Sequence, residues 1–190
     1  MSKFLSFKNQ LLIAMPQLDG SDFNQSIALV CEHNEQGAMG IVINQALSIS
    51  TTELLEQMNI EYQHDCIDPP VLSGGPVQTD RGFVVHRSKS KNNKNWKSSI
   101  DLSDGVSITT SSDILYSIGK NEIASDVFIA LGYAGWRPGQ LENEIISNSW
   151  INIPMNPQLL FETDVQSRWN KATSSLGFNL DQLTYYSGNA

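Results

Sequence analysis

Apolar positions along this chain fall in short blocks whose spacing alternates between that of strands and that of helices. Leu11–Met15 is an unbroken apolar run stopped by Pro16, the pattern of a buried strand. Ser26–Cys31 repeats it, and the turn-rich "PQLDGSDF" joins the two. "EHNEQGAMG" reads as a hairpin connection into a third strand, Gly40–Asn44. "STTELLEQM" starts a helix: Ser50 as N-cap and Glu53 three residues on form a capping box, with Leu54, Leu55 and Met58 on one face. A loop, "DPPVLSGGPV", then leads to a strand at Gly82–His86.

Segment 87–98 is rich in Asn, Ser and Lys and is expected to be a solvated loop. Val106–Thr110 predicts a strand and Ser112–Gly119 a short helix with Gly119 as its stop. "DVFIALGYAGW" is the strongest strand of the chain; Val127–Leu131 is apolar on both faces, so the strand is central. "RPGQ" fits a type II turn with Pro138 and Gly139 in the middle, ahead of a helix at Gln140–Ser147. "SWINIPM" is a later strand, and Asp164 is placed to cap a last long helix with Val165, Trp169 and Ala172 on one stripe. Strands and helices mix without a regular βαβ rhythm, so the expected class is α+β, and 190 residues suit one domain over 1–190.

Composition narrows the setting. The chain is 40% apolar with 13 glycines, ordinary for a globular core. The apolar run near Met1 is too short for a signal peptide, and none approaches the ~20 residues of a membrane span. Cys31 and Cys66 show no C-x-x-C spacing, which suits a reducing compartment, so the cytoplasm is expected. Net charge is −8, yet six of the twelve basic residues (Arg81, Arg87, Lys89, Lys91, Lys94, Lys97) lie in one stretch without an acid.

The common hydrolase, NTPase, dehydrogenase and zinc-peptidase motifs are absent, and nothing calls for a cofactor or metal. Four constellations remain. In "CEH", Cys31 and His33 share a strand face; they read either as an activated thiol beside a base or as a buried small residue beside a hydrogen-bonded histidine. In "SGGPV", Gly74 and Gly75 allow an anion-binding nest or simply a tight turn, and Pro76 fixes the chain direction. "HRSKSKNNKNWK" offers Arg87, Lys89, Lys91, Lys94 and Lys97 around Trp96 as a nucleic-acid contact, or a solvated charge run. "LGYAGWRPGQLENEI" is either a crevice wall beyond a strand end or a strand–turn–helix corner plugged by Trp136.

Together these stretches, with "LLIAMPQLDGSDFNQSIALVCEHNEQGAMGIVIN" before them and "NSW", "LLFETD" and "SLG" after, resemble the AlgH/YqgE family of bacterial proteins from about Leu11 to the C-terminus. The resemblance implies a single α+β domain with a curved, partly barrel-like sheet flanked by helices, in a cytosolic bacterial protein. It implies no particular reaction, although some relatives carry the label of transcriptional regulator. No helix-turn-helix is legible, and the acidic balance opposes direct DNA binding. His33 and His86 match the family pattern, His64 lies outside any motif, and Asn189 stands where the family's ending has His.

The expectation that follows is a regulatory or adaptor protein, not an enzyme, binding a small molecule or a protein partner. Its crevice would be walled by His33, Asn44, Gly74, Gly75, Pro76, His86, Tyr133, Trp136 and Gln140. The alternatives are a hydrolase or transferase using Cys31 or His86, and nucleic-acid association through the basic loop.

Overall fold

Nine strands build one curled sheet in this computed structural model, which describes residues 4–88, 96–123 and 126–177. In chain order they are β1 (Gln10–Ala14), β2 (Ile27–Asn34), β3 (Gly37–Val42), β4 (Val71–Ser73), β5 (Val77–Arg87), β6 (Ser99–Asp101), β7 (Val106–Thr109), β8 (Val127–Trp136) and β9 (Trp150–Pro154). Their spatial order is β6-β7-β5-β8-β3-β2-β1-β9, antiparallel throughout, with short β4 added parallel to β8. The α+β class and the curved sheet expected from the sequence are present.

Strand β8 is the spine. Its first half lies between β4 and β5, and its second half meets β3 and Val77 of β5. Strand alternation sends Leu11, Ile13, Phe83, Val85, Phe128 and Ala130 into one core cluster and their neighbours Leu12, Ala14, Val84 and Ile129 into clusters on the other side. Both faces of the sheet are therefore apolar, which is why the strands read as continuous hydrophobic runs. Helices α4 (Pro157–Phe161) and α5 (Arg168–Ser174) cover the first face. Helices α1 (Thr51–Gln57), α2 (Asp113–Gly119) and α3 (Gln140–Ile146) cover the opposite one.

Most local expectations hold, and the exceptions have physical reasons. The Ser50–Glu53 capping box forms in both directions, but Met58 is 44% exposed beyond the apolar face of α1. Gly139 has φ 73° and the Gln140 N–H donates to the Arg137 carbonyl at 2.9 Å, so the type II turn is real. Gly119 is not a left-handed stop; that residue is Asn121, at φ 55°, and Gly119 instead gives room to the Glu61 carbonyl. The last helix begins directly after Asp164 as expected, with a 3₁₀ first turn, Val165–Ser167, running into α5, but the Asp164 side chain makes no cap bond. A separate short helix, α4, starts at Pro157 behind an Asn156 cap. Within the basic segment Trp96 is 7% exposed, so it is core, not a solvated loop residue.

Candidate functional site

The two glycine motifs meet and interlock. The Gly74 N–H donates to the Leu131 carbonyl at 2.7 Å, and the Gly74 carbonyl accepts from Val42 at 2.8 Å, so both groups belong to the sheet and Gly74 offers no nest. A Cβ on Gly74 would overlap the Gly132 carbonyl, one on Gly75 the Tyr133 backbone, and one on Gly132 the Gly75 carbonyl. Gly132, at φ 76°, also slips the alternation of β8 by one residue: Ile129 and Leu131 face α1 and α2, while Tyr133 packs on the opposite cluster. Next to this crossing, β5 steps five residues, from Val77 to Gly82, while β8 steps two, from Tyr133 to Leu131. The surplus Gln78–Arg81 bulges outward, with Gln78 held at φ 47°.

The corner that follows β8 is closed by one carboxylate. Glu144 of α3 accepts the indole N–H of Trp136 and of Trp150, each at 2.8 Å, and the Gln140 amide at 2.8 Å. Gln140 in turn accepts from the Arg137 backbone at 3.0 Å. A carboxylate able to accept several bonds is what two buried indoles and an amide require.

The histidines are likewise committed. His33 Nδ1 accepts the Phe7 N–H at 2.8 Å, which leaves its proton on Nε2 for Glu142 at 3.2 Å. His86 Nδ1 faces the Arg87 carbonyl at 2.8 Å, so it is the protonated nitrogen, and Nε2 accepts from the Thr109 hydroxyl at 2.9 Å. Burial lowers the His86 pKa, opposed by the Arg87 carbonyl and Asp101. Cys31 and His33 do not share the expected strand face: a β-bulge between Val30 and Glu32 breaks the alternation, leaving Cys31 in the cluster of Leu29 and Ile41 and His33 on the other side with Ala38, Phe7 and Glu142. The Cys31 thiol donates to the Leu29 carbonyl at 3.4 Å and is pushed by burial up to about 12. A thiol so held is no nucleophile near neutral pH, and with both His86 nitrogens occupied the catalytic pairing is not assembled around either residue. Asn44 joins the Ile27 N–H, at 2.7 Å, to the Gln25 carbonyl, at 2.8 Å. Of the nine expected crevice residues, Tyr133 and Trp136 line a common groove, Pro76 is exposed, and the other six are engaged as described.

The basic stretch divides. Arg87 is paired with Asp126 at 3.0 Å and lies over the Phe161 ring. Lys97 donates its backbone N–H to Asp113 at 2.9 Å. Lys89, Lys91 and Lys94, like Asn189, lie outside the described residues.

Three grooves stand out. The first, about 410 Å³, lies between α1, the start of α2 and the sheet. Its floor is a patch of two register pairs, Gly82 with Leu131 and Val84 with Ile129. Leu54, Met58 and Leu115 form apolar walls, and Asp80, Thr110 and Ser112 bring polar groups with no side-chain partner among the described residues. A Cβ on Gly82 would meet nothing within 4 Å, and its alternation with Val84 aims it at the α1–α2 face. The second groove, about 550 Å³, opens beyond the β2–β3 hairpin and is lined by Tyr133, Trp136, Arg81 and Arg137. The third, about 520 Å³, borders Arg168, whose buried guanidinium serves the carbonyls of Ile43, Leu160 and Thr163 and whose pKa burial lowers to about 10. Sequence reasoning missed the first groove. Its signals were a glycine opening a strand pattern and the hydroxyl run "TTSS" at 109–112.

Fold and sites together define a class: a single curled-sheet α+β protein with open grooves and without an assembled nucleophile–base pair among the described residues. No helix among those residues is long and apolar enough to cross a membrane. The sequence profile described as AlgH-like matches residues 11–181, and the chain belongs to the AlgH-like family. A UPF0301 protein of Shewanella loihica is 46% identical, covering 97% of this chain and 99% of its own. One from Thioalkalivibrio sulfidiphilus is 46% identical, covering 97% of each chain. Among solved structures, the solution structure of AlgH from Pseudomonas aeruginosa superposes with a TM-score of 0.74 at 38% identity, covering 100% of this chain and 99% of that one. Protein DIP2367 of Corynebacterium diphtheriae, at 19% identity and TM-score 0.71 over 95% of this chain and 92% of its own, shares the fold.

Proposed function

We propose that this chain is a regulatory or adaptor protein that acts by binding a small molecule in the groove over Gly82. The observation that carries this reading is the missing side chain in the groove's floor. Elsewhere the same sheet face is filled by Val84, Ile129 and the helices above them, whereas at Gly82 the space stays open. An apolar floor rimmed by a few unpartnered polar groups, at about 410 Å³, is the size and character of a small-ligand site. The ligand that fits has an apolar body and a donor group for Asp80.

The test is a thermal-shift screen of small molecules on the native protein and on Gly82→Leu. A Cβ at this strand position meets nothing within 4 Å and the rest of a leucine side chain extends into the open groove, so the variant is expected to keep its stability to within about 1 kcal/mol. Compounds that raise the melting temperature of the native protein are expected to lose that effect in Gly82→Leu. Hits that stabilise both proteins equally would refute the site.

A further inference from the structure

We infer that the second groove, beyond the β2–β3 hairpin, is a separate binding site for a small ligand bearing a carboxylate or phosphate group. The chain holds four arginines, Arg81, Arg87, Arg137 and Arg168. Arg87 is paired with Asp126 and Glu162, and Arg168 is buried among backbone carbonyls. The remaining two line this one groove, and among the described residues no carboxylate oxygen lies within 4 Å of either guanidinium. In a chain with 20 acidic residues and a net charge of −8, two arginines left unpaired on one concavity are a local exception to the field of the whole molecule.

The other polar groups point the same way. The Asn34 side-chain oxygen is taken by the Gln36 N–H at 2.8 Å, which leaves its amide as a donor, and the Tyr133 hydroxyl has no partner among the described residues. Guanidinium, amide and hydroxyl are the groups that recognise an oxyanion. Arg81 is also pre-positioned. The bulge on β5 carries it out of the sheet, its Nη1 donates to the Gln78 side-chain Oε1 at 3.3 Å, and its guanidinium stacks 5.2 Å from the Phe83 ring centre. The strained Gln78 thus has a consequence: it aims a cation at the groove. Glu32, on the rim, is the one acid there and should weaken an anion's binding.

The experiment is a heteronuclear NMR titration with inorganic pyrophosphate and, separately, citrate, against sodium chloride at matched ionic strength. Saturable shifts of the Gly37, Ala38, Gly135 and Arg137 amides, in the millimolar range or below, are expected with at least one probe. The probe that saturates tells whether phosphate or carboxylate is preferred. Arg81→Gln and Arg137→Gln should each weaken binding at least roughly tenfold, as the loss of one charge-assisted contact implies, while Glu32→Gln should strengthen it. All three are exposed, so the same spectra report that the variants remain folded. Shifts that merely track ionic strength, or that persist unchanged in the arginine variants, would overturn the assignment.

Discussion

Gly132 and Gly139 have φ of 76° and 73°, but their surroundings differ completely. A Cβ at Gly139 meets nothing within 4 Å, so Gly139→Ala carries only the left-handed backbone penalty of about 1 kcal/mol. A Cβ at Gly132 would collide with the Gly75 carbonyl, which is sheet backbone and cannot move aside. Gly132→Ala is therefore expected to lose more than about 4 kcal/mol or fail to fold; urea denaturation of the two variants measures the contrast. The two motifs that make the family recognisable are thus one interlock read twice in sequence. Their glycines were legible, but the partner of each was not, because the contact joins residues more than fifty positions apart. At the same scale His86 predicts a pH dependence. Its pKa is lowered from 6.5 in the fold, so its contribution is fully present above that value and is lost as pH falls below it. Between about pH 7.5 and about pH 5.5, unfolding titrations should show a smaller loss of stability for His86→Gln than for the native protein.

Among elements, the corner β8–α3–β9 depends on Glu144. Removing its carboxylate strands two largely buried indole N–H groups at once, so Glu144→Ala is expected to destabilise by roughly 3 kcal/mol, and Glu144→Gln, which keeps an acceptor, by less. Calorimetric melting of both variants distinguishes them. Elements announced by strong local chemistry were readable: the Ser50–Glu53 capping box, the Pro138–Gly139 turn and the apolar run of β8 all stand where the sequence put them. The last helix was readable in the same way: a 3₁₀ first turn after Asp164 runs straight into α5, and Val165, Trp169 and Ala172 pack on one core cluster. The inward turn of Arg168, which serves three carbonyls, was not readable. Nothing in an isolated Arg signals that it will be buried. The Asn156–Pro157 pair did carry a start signal for α4, a cap followed by proline at the first helical position.

At the level of the whole molecule, the sheet is packed on both faces, and the grooves lie where helices leave it bare. Strand ends gathered polar residues in the sequence, which suggested one crevice. The fold instead spends those residues on its own closure, with His33 on Phe7 and Glu142, Asn44 on Ile27 and Gln25, and Gln140 on Glu144. A sequence shows that a side chain is polar but not whether its bonds are already satisfied. The bulge Gln78–Arg81 then becomes the junction of the molecule. Asp80 lines the groove over Gly82 and Arg81 the groove beyond the hairpin, so consecutive residues of opposite charge serve two separate concavities. Occupation of the first of these by a small molecule is tested by intermolecular nuclear Overhauser contacts from a bound screening hit to assigned methyl groups. Contacts are expected to Leu54, Val84, Leu115 and Ile129, the apolar residues around Gly82. Contacts confined to methyls elsewhere, with those four silent, would contradict that occupation.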